Sequence, residues 1–275
     1  MLILSIFPGI DMLGKGFEEE GFYVVRGPDL VWGGDIRSFQ APSGKFNGVI
    51  GGPPCQDFSN ARRTIPTGNG LAMLNEFKRI VLEAQPDWWL LENVERVPDV
   101  TIPGYHTQRF DLNARECGMV QYRRRHFQFG SPITQILTVI PQRTSPAAQS
   151  RIEPTCMATE GSKSNRRTWA DFCELQGLPR DFDLPGLSIE AKYRAVGNGV
   201  PIPMARTVAR AIREAVNAPV ASGSAQSRLC ICGCGRLLTG QRSDQKSATP
   251  ACRKRLEKRR RESSTATTPG AFTQM

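Results

Sequence analysis

The chain has 275 residues, 39% of them hydrophobic, eight cysteines and a formal net charge of +10. Its length suits one large α/β domain with small additions. The apolar start, residues 1–7, has no basic residues before it and is too short for a signal peptide or a membrane span, so we expect neither secretion nor membrane insertion. Four cysteines are scattered through the chain, which suits a reducing compartment, and we expect a cytoplasmic protein.

Two short apolar runs predict buried strands after an opening strand at residues 1–7. Residues 46–52 end in two glycines, so this strand should open into a tight loop that carries Cys55. Residues 88–91 form the next run, with Glu92 at its carboxyl end. Ligands bind at the carboxyl ends of strands in open α/β sheets, so we expect Cys55 and Glu92 at one edge of one sheet.

Each of these two residues also has an ordinary structural explanation. An isolated cysteine is often a small buried hydrophobic residue, and a Glu-Asn pair at the end of a strand commonly forms a turn. Together and in this order, the segments Pro53-Pro54-Cys55-Gln56 and Glu92-Asn93-Val94 resemble two motifs of the C5 cytosine-specific DNA methyltransferases.

Further segments extend this resemblance over the first 216 residues. In the family's order they are the glycine-bearing loop at 4–11, the strand at 21–25, the acidic positions Asp29 and Asp35, residues 112–114, Gln121-Tyr122-Arg123-Arg124-Arg125, residues 175–179 and the closing block at 193–201. The resemblance implies the α/β, Rossmann-like fold of S-adenosylmethionine-dependent methyltransferases, with a doubly wound, mostly parallel sheet. We expect the last helix, near 204–216, to return beside the first strand.

By resemblance, four residues carry out methyl transfer to carbon 5 of cytosine. Cys55 would add to carbon 6, which makes the ring nucleophilic at carbon 5. Glu92, kept protonated by burial, would donate a hydrogen bond or a proton to ring nitrogen 3. Arg123 and Arg125 would supply positive charge, the latter at the ring carbonyl oxygen.

The resemblance also implies S-adenosylmethionine as the cosubstrate. Phe7 would stack on the adenine, Gly9 would allow close approach of the backbone, and Asp29 and Asp35 would bind the ribose and the adenine amino group. The remaining family positions at this site are Pro54 and Asn198. Phe7 has an alternative interpretation as a core residue, since apolar residues after a strand usually pack.

The glycine loop departs from the family pattern, which continues with two glycines where this chain has Asp11 and Met12. Asp11 could cap the following helix. It could equally place a negative charge near the carboxylate of the cosubstrate. The sequence leaves the effect on cosubstrate affinity open.

The target-recognition region of this family corresponds here to residues 131–165. It is short, and residues 153–155 already resemble the return to the core. We therefore expect a small, reduced recognition lobe with few base-edge contacts, each worth about 1–3 kcal/mol of discrimination. Such an enzyme would read a short or degenerate site.

The C-terminal tail carries most of the net charge. Residues 217–227 are small and uncharged, which predicts a linker after a catalytic domain at 1–216. Residues 228–262 contain eleven Lys/Arg and three Asp/Glu, against 25 and 23 in the first 216 residues. We expect phosphate contacts from this segment, the alternative being a solvated run of charge. Residues 263–275 are small and polar and are expected to be disordered.

The tail also contains four candidate zinc ligands. They are Cys230, Cys232, Cys234 and Cys252. Four thiolates can form a closed tetrahedral site, and so short a folded unit would need the metal. The irregular spacing fits an unstructured, reduced tail equally well.

Double-stranded DNA is the partner that the resemblance implies, with the target cytosine flipped out at a cost of roughly a few kcal/mol. We expect a monomeric enzyme of bacterial or phage type, associated with the nucleoid. Two other functions stay open. Some relatives of this family methylate transfer RNA, and the changes at Asp11 and Met12 could leave a nucleic-acid-binding protein that no longer binds the cosubstrate.

Overall fold

The computed structural model describes residues 1–59, 65–133, 135–142, 152–218 and 252–257. The chain divides into two compact units, Met1–Ala218 and Pro219–Met275. In the second unit, the described residues form a helical segment at 252–257. No helix in the described part of the chain has the length and apolar character that a membrane span requires.

A six-stranded sheet forms the centre of the first unit. Its strands are β1 (Leu2–Ile6), β2 (Tyr23–Arg26), β3 (Gly48–Gly51), β4 (Trp88–Asn93), β5 (His106–Asn113) and β6 (Arg124–Ser131). Their order is β2-β1-β3-β4-β6-β5. Strands β1 to β4 run parallel, and β6 is antiparallel to both of its neighbours. The predicted mostly parallel sheet is confirmed, and the three predicted apolar strands correspond to β1, β3 and β4.

The helices are α1 (Met12–Glu19), α2 (Asn69–Ala84), α3 (Trp169–Glu174), α4 (Ile189–Asn198) and α5 (Ile202–Asn217). Helices α1 and α5 pack on one face of the sheet and α2 packs on the other, whereas α3 and α4 pack together in a third hydrophobic cluster. Helices α1 and α5 pack closely at Gly16, where any side chain would clash: a Cβ there would lie only 2.4 Å from the Cβ of Ala205. The last helix is therefore confirmed as α5, and it shares a hydrophobic cluster with Ile3 of β1.

Strand β4 is covered on both sides, and all six of its residues are buried. Successive side chains point to opposite faces of a strand. Trp88 stacks with Phe17 of α1 and Phe129 of β6, whereas Trp89 packs against Phe77 of α2. Burial on both faces is typical of a central strand in a parallel sheet, and it holds the carboxyl end of β4 in a fixed position.

The described part of residues 131–165, the predicted recognition region, lies in the first compact unit and is hydrogen-bonded to its core. Leu137 exchanges two hydrogen bonds of 2.9 Å with the side chain of Gln108 on β5. The amide of Glu153 donates to the carbonyl of Val120 at 3.0 Å. Because the core satisfies these backbone groups, the described part of this region belongs to the main unit. Residues 143–151 lie outside the description.

Candidate active site

A cavity of about 390 Å³ opens beside the carboxyl ends of β1, β3 and β4. The predicted site residues in its wall are Phe7, Gly9, Asp29, Asp35, Pro54, Cys55, Glu92, Arg125 and Asn198. Of the residues predicted for catalysis or cosubstrate binding, Arg123 alone lies outside this wall. The sheet edge therefore brings together segments that are far apart in the sequence.

Cys55 follows β3 on a loop that the neighbouring strand holds in place. Strands β3 and β4 pair in parallel with Gly51 opposite Leu91, so the loop after β3 lies next to the end of β4. The side-chain amide of Asn93 donates a buried hydrogen bond of 2.9 Å to the carbonyl of Pro53. The asparagine of the Glu-Asn-Val segment thus fixes the approach to the cysteine.

Asp57 fixes the other side of this loop, a role that the sequence analysis missed. Its carboxylate accepts hydrogen bonds from the amides of Thr67 at 3.1 Å and Gly70 at 2.8 Å, at the start of α2. An acidic side chain there satisfies amides that lack a partner within the helix. The ten-residue separation between Asp57 and Thr67 conceals this cap in the sequence.

Glu92, at the end of β4, is 7% exposed. The Nε of Arg125 lies 2.9 Å from its Oε1. A Cβ at Gly52 would lie 3.0 Å from Oε2, so glycine leaves room for the carboxyl group beside the cysteine loop. Burial raises the pKa of Glu92, and the charges of Arg125 and Arg123 oppose that rise.

Cys55 is a free, partly buried thiol. Burial raises its pKa above the usual range, and the negative charge of Glu92 adds to the effect. Arg125 and Arg123 favour the thiolate and act in the opposite direction. The cavity therefore holds two acids with raised pKa values next to a guanidinium group that favours the ionised form of each.

Arg123 lies in the interior, 1% exposed, and not in the wall of the cavity. Its guanidinium donates to the carbonyls of Cys156 at 2.8 Å, Gly197 at 2.7 Å and Gly199 at 2.9 Å. Arg123 therefore lies behind the wall, and its positive charge still favours the ionised forms of Cys55 and Glu92. It also holds the carboxyl end of α4, where Asn198 lines the cavity.

The glycine loop after β1 has an unusual backbone, with φ of 54° at Phe7 and 55° at both Gly9 and Asp11. Two side chains from the segment that follows β2 form hydrogen bonds with the backbone of Gly9. Asp29 Oδ2 accepts a hydrogen bond of 2.8 Å from the Gly9 amide. The indole of Trp32 donates one of 2.6 Å to the Gly9 carbonyl. No sequence motif predicts this contact of Trp32.

Asp35 lines the same side of the cavity and pairs with Arg37 at 2.6 Å. The hydrogen bond from the Arg37 side chain is the largest cause that lowers the pKa of Asp35. Its carboxylate is therefore an ionised hydrogen-bond acceptor at neutral pH.

Asp11 caps α1, which confirms one of its two interpretations. Its Oδ1 accepts a hydrogen bond of 3.0 Å from the amide of Gly14. Met12 is 1% exposed and packs in a cluster with Tyr193 and Val196 of α4. A Cβ at Gly199 would lie 2.4 Å from the Met12 sulfur, so the bulk of Met12 is accommodated by the glycine that follows α4.

Of the four candidate zinc ligands, only Cys252 falls within the described residues, at the start of the helical segment 252–257. Cys230, Cys232 and Cys234 lie outside them. Among the residues that the structure covers, no group of three or more metal-binding side chains is found.

Comparison with known proteins gives a family and a fold. The family model for C-5 cytosine-specific DNA methylase matches residues 30–172. Type II methyltransferase M.HgiDI of Herpetosiphon aurantiacus is 32% identical over 178 residues, which cover 52% of this chain and 57% of that protein. Type II methyltransferase M.HindV of Haemophilus influenzae is 34% identical over 172 residues, covering 51% and 56%. The chain thus spans about half the length of the curated relatives that it matches.

Solved structures support the fold. The Entamoeba histolytica methyltransferase EhMeth aligns with a TM-score of 0.61 at 11% identity, over 79% of this chain and 99% of that chain. Dnmt2 of S. pombe aligns with a TM-score of 0.55 at 10% identity, over the same shares of the two chains. Because the family model covers more than half of the sequence and the fold agrees, this chain belongs to the C-5 cytosine-specific DNA methylase family.

Proposed function

We propose that this chain is a DNA (cytosine-5)-methyltransferase, which transfers a methyl group from S-adenosylmethionine to carbon 5 of a flipped-out cytosine. The observation that carries the proposal is the meeting of Cys55, Glu92 and Arg125 in the wall of one cavity. These side chains offer a nucleophile, an acid and a fixed positive charge, which are the groups that the reaction needs.

In this proposal, the thiolate of Cys55 adds to carbon 6 of the cytosine ring and makes carbon 5 nucleophilic. Loss of the carbon 5 proton and expulsion of Cys55 follow methyl transfer and restore the aromatic ring. Since burial raises the pKa of the thiol, its ionisation needs help at the moment of attack. The guanidinium of Arg125 supplies positive charge for the thiolate and for the ring oxygen.

In this proposal Glu92 acts as the acid. Its pKa is raised by burial, so the neutral carboxyl can donate a hydrogen bond to ring nitrogen 3 as negative charge develops there. A protonated Glu92 also lacks the negative charge that opposes ionisation of Cys55. Protonation of Glu92 thus helps in two ways: it provides a hydrogen-bond donor for the cytosine ring, and it favours ionisation of Cys55.

The other half of the cavity fits S-adenosylmethionine, which supplies the methyl group when bound. Phe7 offers an aromatic face for the adenine, and the carboxylates of Asp29 and Asp35 offer acceptors for hydroxyl and amino groups. A Cβ at Gly9 would meet no atom within 4 Å, so this turn leaves open space for a ligand. Pro54 and Asn198 complete the proposed set.

Double-stranded DNA is the proposed substrate. The described part of residues 131–165 is tied to the core, which leaves little chain for reading base edges and favours a short or degenerate site. Basic residues of the tail would add phosphate contacts that do not depend on sequence. Zinc binding by the four tail cysteines and a monomeric state are further parts of this proposal.

Transfer of labelled methyl groups to duplex DNA and to structured RNA tests the reaction and the substrate. We expect labelled 5-methylcytosine in DNA, no transfer by Cys55→Ser and a loss of about 100-fold or more in Glu92→Gln. Transfer to RNA alone would refute DNA as the substrate. If the protein binds S-adenosylmethionine in calorimetry and methylates neither polymer, the proposed activity is wrong.

Bisulfite sequencing of DNA from cells that express the protein tests the site that it reads. We expect methylation at a short or degenerate sequence. Methylation confined to one long and strict motif would contradict the reduced recognition region.

A further inference from the structure

The carboxylate of Asp11 is buried in the wall of the cavity, on the side proposed to hold S-adenosylmethionine. Its side chain is 3% exposed. Ser5 of β1 and the amide of Gly14 in α1 donate hydrogen bonds to Oδ1 at 2.8 and 3.0 Å. The Nε of Arg26, at the end of β2, lies 2.8 Å from Oδ2. Three elements of the fold therefore converge on one carboxylate.

The parallel pairing of β1 and β2 brings the arginine to this place. Ser5 is the register partner of Arg26, so the loop that leaves β1 carries Asp11 past the guanidinium. Arg26 is 45% exposed and also pairs with Glu18 at 2.8 Å. Within the described residues, Arg26 is the one cation paired with Asp11.

A buried carboxylate is costly unless a charge or hydrogen bonds compensate it. Burial raises the pKa of Asp11, and both Ser5 and Arg26 oppose the rise. Without Arg26, an ionised Asp11 would leave negative charge in the wall of the cavity. In a partly desolvated site such a charge acts on a ligand several ångströms away.

We propose that Arg26, by neutralising Asp11, sets how strongly the cavity distinguishes the cationic cosubstrate from its neutral product. The inference rests on the proposed function, since it takes S-adenosylmethionine as the ligand. That molecule carries a sulfonium charge, which S-adenosylhomocysteine lacks, whereas the two share their amino-acid and adenosine groups. Negative charge in the cavity wall would favour binding of S-adenosylmethionine, and positive charge there would favour binding of S-adenosylhomocysteine.

Calorimetric titration of the full-length protein with each compound gives the ratio of the two dissociation constants. Arg26→Gln should shift this ratio toward S-adenosylmethionine by about tenfold, because it leaves Asp11 uncompensated. Asp11→Asn should shift it in the opposite direction, because it removes the negative charge from the cavity wall while Arg26 keeps its positive charge. The double variant should return to within about twofold of the wild-type ratio, as expected for an interacting pair.

Glu19→Gln is the matched control, because Glu19 lies on the same helix and pairs with Arg206, but does not line the cavity and is not among the charges that act on Asp11. It should leave the ratio unchanged. Asparagine caps helices and tolerates positive φ, so Asp11→Asn should remain folded.

A purely structural role for the pair would weaken both ligands together and leave the ratio at its wild-type value in both single variants, which would overturn the inference. Failure of the wild-type protein to bind either compound would instead overturn the proposed function.

Discussion

Cys55 and Glu92 are coupled through charge. Ionised Glu92 raises the pKa of Cys55, and burial raises the pKa of both groups. Arg125, 2.9 Å from Glu92, favours the ionised form of each. Protonation of Glu92 and ionisation of Cys55 therefore support one another, which suits a site that needs a neutral acid beside a thiolate.

The rate at which iodoacetamide alkylates Cys55 measures this coupling, because the thiolate is the reactive form. At pH 8 we expect Glu92→Gln to react about threefold to tenfold faster than wild type, and Arg125→Gln to react more slowly by a similar factor. Mass spectrometry of the peptide that contains Cys55 gives the rate. Buried Cys117, whose pKa is raised to about 12, serves as an unreactive internal control. Equal rates in all three proteins would show that the charges do not act on the thiol.

The positions of Cys55 and Glu92 could be predicted from the sequence, because both follow short apolar strands and such strand ends meet at one edge. Arg123 could not be placed in the same way. Strand β6 begins at Arg124, so alternation along that strand does not govern Arg123, and its partners lie 33 to 76 residues away. Arg26 was missed for a similar reason, since its role depends on the register of β1 and β2.

Arg123 links three elements at the inner end of the cavity. It stands just before β6, and the carbonyls that it binds belong to the segment at Cys156 and to the carboxyl end of α4. The hydrogen bonds to Cys156 and Gly197 are buried, and a buried acceptor that loses its donor is costly. The guanidinium thus acts as a structural anchor for α4.

Arg123→Leu should therefore lower the free energy of unfolding by about 3 kcal/mol or more, since it removes two buried hydrogen bonds and one partly buried hydrogen bond at once. Arg123→Lys should cost less but still destabilise, because one ammonium group cannot match the planar fork of arginine. Urea denaturation measures both values. Arg124→Gln is the control, since Arg124 pairs on the surface with Glu95. It should change the free energy of unfolding by less than about 1 kcal/mol. If the Arg123→Leu variant lost as little unfolding free energy as Arg124→Gln, the anchoring role of Arg123 would be contradicted.

Strands β1 to β4 and the last helix could be predicted because their signals are local, but β5, β6 and the course of residues 131–165 could not. The hydrogen bonds that tie this region down run to Gln108 and Val120, residues with no sequence pattern that marks them as partners. The resemblance predicts a small recognition lobe at this position, but it does not predict these long-range hydrogen bonds. The cap that Asp57 provides for α2 was hidden in the same way.

Charge is divided unevenly between the two compact units. The first 216 residues contain 25 basic and 23 acidic residues, whereas residues 228–262 contain eleven and three. The first unit contains the cavity and all of its wall residues. We therefore expect binding of the cosubstrate and of the target base to belong to the first unit, and non-specific attraction to DNA to belong to the basic tail.

Removal of residues 219–275 should leave the melting temperature and S-adenosylmethionine affinity close to those of the full chain. The DNA affinity of the shortened protein, measured at low salt, should be lower than that of the full chain. Its plot of log affinity against log salt concentration should be flatter. A full-length variant with Lys258, Arg259, Arg260 and Arg261 changed to glutamine should show part of the same loss. Unchanged DNA affinity in both proteins would contradict a role for the tail in binding.

The most direct test of the account is the covalent bond to Cys55. Duplex DNA that contains 5-fluorocytosine is incubated with the protein and S-adenosylmethionine, because fluorine at carbon 5 prevents the final elimination and traps the adduct. We predict a protein–DNA adduct that survives denaturing electrophoresis and is absent in Cys55→Ser. An adduct that persists in Cys55→Ser, or no adduct from a protein that methylates ordinary cytosine, would contradict the assignment of Cys55 as the nucleophile.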